Sequence, residues 1–84
     1  MYALVTGASS GIGLQYATVL AEKYKKDLVL VSNQEKELQE AAKEISEKYG
    51  VKTVTLFKDL STETAPQEVY DFCKENNLEI EILI

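Results

Sequence analysis

The sequence contains no arginine, no histidine and no tryptophan, and only one cysteine and one proline among its 84 residues. With a net charge of -5 and no arginine, it lacks the clustered cations that bind nucleic-acid phosphates. The single cysteine, Cys73, excludes an internal disulfide, and the lack of histidine leaves it no partner for a metal site. We therefore expect no nucleic-acid partner and no bound metal, and we interpret Cys73 as a core residue.

Long apolar runs are also missing from the sequence. None approaches the roughly 20 residues that span a membrane, and Met1 leads directly into a strand-like segment, which leaves no room for a secretion signal. We therefore expect no membrane partner and a cytoplasmic location. The apolar content of 45% and the charged content of 27% are typical of one globular domain.

Seven segments alternate between strand-like and helix-like patterns. The strand-like segments are 2–6, 27–32, 51–57 and 79–84. Between them, apolar residues recur at helical spacing, in the stripes Ala17, Leu20, Ala21 and Tyr24, then Leu38, Ala41, Ala42, Ile45 and Tyr49, then Val69, Phe72 and Cys73. Strands joined through helices run parallel, with right-handed crossovers. The order β-α-β-α-β-α-β predicts half of a doubly wound, Rossmann-type parallel α/β sheet.

Local signals mark the ends of the second and third helices. Ser32 with Glu35, and Thr64 with Gln67, have the spacing of a capping box, in which each side chain bonds a free backbone N–H. Gly50 is suited to a helix C-terminus because glycine adopts the left-handed conformation readily.

The segment TGASSGIG (6–13) joins the first strand to the first helix and contains three glycines. Gly7 allows a tight turn, a side chain at Gly11 would keep a pyrophosphate from the backbone, and Gly13 lets the helix approach the strand. The free N–H groups and the dipole at the start of the helix attract phosphate. The hydroxyl groups of Thr6, Ser9 and Ser10 can brace the turn or bind the ligand. The alternative is a glycine-rich turn that binds nothing. A P-loop is excluded because no lysine follows the last glycine.

The glycine turn resembles the TGxxxGxG signature of the short-chain dehydrogenase/reductases, and the resemblance continues along the chain. Residues 27–45 are similar to the second strand and helix of that family, LFKDLS (56–61) to the end of its third strand, and LEIEILI (78–84) to its fourth strand. The resemblance implies strand order 3-2-1-4 and an NAD(P)-dependent oxidoreductase that acts on a carbonyl or alcohol substrate.

The same resemblance implies which residues bind the dinucleotide. Gly7, Gly11 and Ile12 would lie along the pyrophosphate, together with the rest of the turn, and Asp59 and Leu60 would hold the adenine. The alternative for Asp59 is a turn residue that caps the end of the third strand.

The choice between NAD and NADP depends on the tip of the second strand, where the alignment places Asn33. An acid at this point favours NAD and an arginine favours NADP in the family. Asn33 is neither, and Ser10 stands where many NADP-binding members carry a cation. Lys36 would supply a cation one turn further on, or else it pairs with Glu40. We expect NADP, with NAD as the alternative.

No catalytic residue is expected within the chain. The serine, tyrosine and lysine of the family lie downstream of position 84. Tyr70 and Lys74 have Tyr-x-x-x-Lys spacing, but they lie before the fourth strand, and this helical spacing arises often by chance. We expect residues 1–84 to be the truncated N-terminal part of a single NAD(P)-binding domain, inactive alone. A non-catalytic dinucleotide-binding sensor or scaffold is the alternative function.

Surface exposure is expected on one side of the sheet. Two helices would cover one face, and only the third helix would cover the other, although strands 1 and 2 are apolar on both sides. We expect part of that second face and the edge of the fourth strand to remain in water, and we expect a homo-oligomer.

Overall fold

The structure is a computed structural model that describes residues 1–9, 11–59 and 61–83. Its elements are β1 (Tyr2–Thr6), α1 (Gly11–Tyr24), β2 (Asp27–Ser32), α2 (Glu35–Tyr49), β3 (Thr53–Phe57), α3 (Ala65–Glu75) and β4 (Ile80–Leu83). The four strands form one parallel sheet in the order β3-β2-β1-β4. The predicted half of a doubly wound sheet, including its strand order, is confirmed.

Apolar side chains from alternate positions of the central strands form two cores. On one face, Ala3 and Val5 of β1 and Leu28 and Leu30 of β2 are buried beneath α1 and α2, which contribute Ala17, Leu20, Ala21, Leu38, Ala42 and Ile45. Strands buried on both faces explain the continuous apolar run of β2. This core holds α1 against the sheet, and the amino-terminal end of α1 is where the glycine turn ends.

The second face of the sheet is covered more completely than the sequence indicates. Leu4 of β1 and Val29 and Val31 of β2 are buried against Val69 and Cys73 of α3. The expectation that part of this face stays in water is therefore wrong for these buried positions of β1 and β2, whereas an apolar groove bordered by β1, α3 and β4 remains open on the same face. Burial by α3 also confirms Cys73 as a core residue, and this burial raises the pKa of its thiol.

Both predicted capping boxes are wrong, whereas the helix end at Gly50 is confirmed. The N-terminal cap of α2 is Gln34, and the Ser32 hydroxyl accepts the Gln34 backbone N–H at 3.1 Å. Thr64 does precede α3, but its hydroxyl donates to the Glu68 carboxylate at 3.1 Å and makes no capping bond. Gly50 ends α2 with a left-handed φ of 70°.

Some boundaries also differ from those expected. The first helix begins at Gly11, β3 begins at Thr53 and β4 at Ile80, whereas Ile84 lies outside the described residues. Among the described residues, no helix combines the length and apolar composition that crossing a bilayer requires.

Candidate functional site

The carboxyl ends of β1, β2 and β3 meet at one edge of the sheet and border a cleft of about 450 Å³. Its lining comes from three separate segments: Gly7, Ser9, Ser32, Asn33, Gln34, Lys58, Asp59 and Ser61. The cleft thus brings together four of the residues expected to bind a dinucleotide, namely Gly7, Ser9, Asn33 and Asp59. Ligands of open α/β sheets bind at this edge, beyond the carboxyl ends of the strands.

Two glycines of the turn have left-handed backbones. Gly7 has a φ of 61° and Gly11 a φ of 60°, values that other residues adopt only at a cost. The left-handed conformation was expected for Gly7, but it was not foreseen for Gly11, where the sequence indicated only the approach of a ligand. A Cβ atom on Gly11 would meet no atom of the described residues within 4 Å, so among them the space beside its backbone is open. Any side chain at this position would narrow this space.

Gly13 brings α1 against the end of β1. A Cβ atom at this position would lie 2.2 Å from the carbonyl oxygen of Gly7 and 2.8 Å from that of Thr6. The sequence predicts that this glycine lets the helix pack closely on the strand, and these distances show that close packing.

Ile12, which is also expected at the pyrophosphate, is not among the described residues that line the cleft. Ile12 is 71% exposed in the first turn of α1, where it borders a surface depression with Tyr16 and Val19. Ser10 and Leu60 lie outside the described residues.

A hydrogen-bond network joins the glycine turn to the tip of β2. The Ser9 hydroxyl donates to the Gln34 amide oxygen at 2.7 Å and lies 2.8 Å from the Ser32 hydroxyl. The Ala8 N–H also donates to the Val31 carbonyl oxygen at 3.2 Å. Gln34 uses its amide oxygen as the acceptor for Ser9, and its amide nitrogen is a hydrogen-bond donor. The sequence interpretation missed Ser32 and Gln34 as site residues, although both flank Asn33.

Asp59 lines the cleft from the segment that follows β3, and it is held in a turn. Its carboxylate accepts the Ser61 backbone N–H at 2.9 Å. Hydrogen bonds from the Ser61 hydroxyl and then from this N–H lower the pKa of Asp59, so the carboxylate is charged at neutral pH. Asp59 is therefore a turn residue after β3, as the alternative interpretation has it. Its carboxylate is also a charged hydrogen-bond acceptor at the cleft.

Lys58 was not among the expected site residues, although it directly precedes Asp59. Its backbone N–H donates to the Ser32 carbonyl oxygen at 2.9 Å, and its ammonium forms an ion pair with Glu68 of α3. This pair lowers the pKa of Glu68. Lys36, the cation that the sequence suggested, is exposed on α2 and is not among the described residues that line the cleft. Nor, within the described chain, does Lys36 form an ion pair with Glu40.

Tyr70 lies away from the cleft. Its side chain is 61% exposed and borders an apolar groove of about 360 Å³ with, among others, Pro66, Val69 and Leu83. In the described part of the chain, Tyr70 and Lys74 share no hydrogen bond. This position favours the interpretation that their catalytic-type spacing is coincidental.

Comparison with known proteins identifies one family. The sequence profile of the family described as "short chain dehydrogenase" matches residues 1–84. The very-long-chain 3-oxoacyl-CoA reductase of Bos taurus is 38% identical over 85 residues, covering 99% of this chain and 26% of that protein. The inactive hydroxysteroid dehydrogenase-like protein 1 of Mus musculus is 42% identical over 60 residues, covering 71% of this chain and 18% of that protein. The chain thus spans about a quarter, or less, of the length of these relatives.

A solved structure shares the fold over almost the whole chain. The L-sorbose reductase of Gluconobacter frateurii, crystallised with NADPH and L-sorbose, superimposes with a TM-score of 0.89 at 34% identity. The match covers 98% of this chain and 31% of that one. The same arrangement of strands and helices is therefore present in a protein that binds a dinucleotide.

Proposed function

Because the chain belongs to the short-chain dehydrogenase/reductase family, we propose that it is the dinucleotide-binding part of an NAD(P)-dependent oxidoreductase that acts on a carbonyl or alcohol substrate. The observation that carries the proposal is the glycine turn at the end of β1. Gly11 has a left-handed backbone with open space beside it, directly at the amino-terminal end of α1. Such helix ends attract phosphate through free N–H groups and the helix dipole.

Each group of expected binding residues has a distinct function in this proposal. Gly7, Gly11 and Ile12 would hold the pyrophosphate, with support from Ser9, Ser10 and Gly13. Asn33 would bind the adenosine ribose, and Asp59 with Leu60 would bind the adenine. When bound, the nicotinamide ring accepts or donates the hydride, and this chain's own residues bind and orient the dinucleotide.

We favour NADP over NAD for two reasons. The L-sorbose reductase structure contains NADPH. In addition, Asp59 is the single carboxylate among the described residues of the cleft, and it bonds Ser61, whereas Asn33 carries no charge to repel a 2′-phosphate. A carboxylate at the position of Asn33 would favour NAD instead.

The remaining parts of the proposal concern the protein as a whole. Residues 1–84 would form the N-terminal part of a single NAD(P)-binding domain, because the relatives are about four times longer. Catalytic residues and the substrate pocket would come from other segments, so the isolated chain would bind without turnover. We further propose a cytoplasmic homo-oligomer with no membrane partner and no nucleic-acid partner; the net charge of -5 supports the last of these.

A dinucleotide-binding sensor or scaffold is the second candidate function. The relative that favours it is the mouse protein named as inactive, which is 42% identical over its matched part. The two candidates share the cleft and differ only in turnover. We would assay the full-length protein for NADPH-dependent reduction of a panel of ketones and aldehydes. Turnover of any of them would establish that the protein is an enzyme.

Substitution of Gly11 tests the binding of a dinucleotide. In the full-length protein, Gly11→Val should lower NADPH affinity at least tenfold, measured by titration calorimetry, because its side chain fills the opening for the pyrophosphate. Gly50→Val is the matched control, since Gly50 has a similar φ of 70° and equally open surroundings, but lies between α2 and β3 at the opposite edge. A folded Gly11→Val variant that binds NADPH like the control would contradict the proposal.

A further inference from the structure

Lys58 is the one cation among the described residues that line the cleft. It follows β3 directly, and its backbone N–H bonds the carbonyl oxygen of Ser32, the last residue of β2. The Lys58 side chain therefore begins next to the strand tip that carries Asn33 and Gln34. Its backbone position is set by the pairing of β2 with β3 and not by local turn geometry.

The partner of Lys58 is a weak competitor for its charge. Lys58 pairs with Glu68, and their side chains are 30% and 45% exposed. Exposed ion pairs of this kind contribute little because water and salt screen them. A phosphate monoester carries up to two negative charges and three acceptor oxygens, and it therefore attracts an ammonium more strongly than one solvated carboxylate does.

We propose that Lys58 exchanges Glu68 for the 2′-phosphate of NADP and is the residue that determines cofactor specificity. This inference rests on the proposed dinucleotide function. The proposed function assigns the pyrophosphate to the glycine turn, which leaves the cation on the β3 side for a second anionic group. The uncharged side chains of Asn33 and Gln34 line the same cleft. Asp59 is the single carboxylate among the described lining residues that would repel a phosphate there.

Two small ligands isolate this contact from the rest of the cofactor. We would measure the affinities of 2′,5′-ADP and 5′-AMP, which differ only by the 2′-phosphate, for the full-length protein by titration calorimetry. Lys58→Gln should weaken 2′,5′-ADP about tenfold, the size of one lost charge-assisted hydrogen bond, and change 5′-AMP by less than about twofold. NADPH and NADH titrations should show the same contrast.

Glu68→Gln provides the matched structural control, because it removes the same ion pair but keeps the cation. This variant should bind 2′,5′-ADP as tightly as the parent or more tightly. Lys36→Gln tests the other candidate cation, and Lys43→Gln on the exposed face of α2 controls for net charge.

Each outcome separates this inference from the proposed function. If the parent protein binds neither NADPH nor NADH, the proposed function itself fails. If it binds both, and Lys58→Gln leaves the ratio of 2′,5′-ADP to 5′-AMP affinity unchanged, the specificity function of Lys58 is wrong. The inference is also overturned if Lys36→Gln has the larger effect, or if Glu68→Gln weakens 2′,5′-ADP as much as Lys58→Gln does.

Discussion

Gly13 lies so close to Gly7 that a Cβ atom on residue 13 would come within 2.2 Å of the Gly7 carbonyl oxygen. The first turn of α1 therefore rests directly on the backbone at the end of β1. The contact is between backbone groups, which have no side-chain rotamers with which to adjust. Gly13 thus sets the distance between the helix end and the cleft.

We predict that Gly13→Ala strongly destabilises the protein. Alanine is ordinarily the better helix residue, by roughly 1 kcal/mol, but here its methyl group would overlap a carbonyl oxygen. We expect a loss of about 3 kcal/mol or more, at the upper end of typical overpacking effects. Urea unfolding monitored by circular dichroism would measure the loss.

The matched control for this prediction is Gly50→Ala. Gly50 has a left-handed φ of 70°, and no atom in the described part of the chain lies within 4 Å of an added Cβ. Its substitution should lower the free energy of unfolding by only about 1–2 kcal/mol, the usual strain of a left-handed residue. Equal losses for the two variants would show that α1 moves freely away from β1.

We predict that Asn33→Asp shifts cofactor preference toward NAD. The new carboxylate would accept the ribose 2′-hydroxyl and repel a 2′-phosphate. Repulsion at close range corresponds to roughly 1–3 kcal/mol, so the ratio of NADPH to NADH affinity should fall by about ten- to a hundredfold. Titration of the full-length protein with both cofactors would measure this ratio.

Asn77→Asp makes the same chemical change at the opposite edge of the sheet and is the control. Asn77 is exposed between α3 and β4, with a φ of 56° that asparagine and aspartate both tolerate. It should leave the cofactor ratio unchanged. If Asn33→Asp behaves like this control, Asn33 does not adjoin the ribose.

We predict that the isolated 84-residue chain self-associates through β4. This strand is at an edge of the described sheet, and its Leu83 is 72% exposed beside the apolar groove formed with α3. Leu83→Lys should weaken association about tenfold or more, because burial of a leucine contributes roughly 1.5–3 kcal/mol and an edge lysine opposes strand pairing. Light scattering over a range of concentrations would measure it.

Val19→Lys tests whether any exposed apolar residue has this effect. Val19 is 41% exposed on α1, on the other side of the sheet, and its substitution should leave association unchanged. A parent chain that stays monomeric at high concentration would contradict the prediction, and so would a larger effect of Val19→Lys.

Local sequence patterns were sufficient for the order of elements and for the glycine turn. The apolar stripes predict α1 to α3 because a helix buries residues three and four apart, whatever lies opposite. Gly7 and Gly50 were predictable for a similar reason, since a left-handed turn is a property of the backbone at one residue. Parallel strand order followed from the alternation of strands and helices together with the family resemblance.

Tertiary structure alone decided which side chains meet in the cleft. Ser9 and Ser32 are 23 residues apart in the sequence, yet their hydroxyl groups are in contact. The Ser32 hydroxyl bonds Ser9 and the Gln34 N–H and does not form the expected capping box. Lys58 reaches the tip of β2 only because β3 pairs with β2 in the observed register. The burial of Val29 and Val31 likewise depends on where α3 lies across the sheet. Contacts between distant segments depend on strand register and helix placement, which are set by the packing of the whole core and leave no local pattern in the sequence.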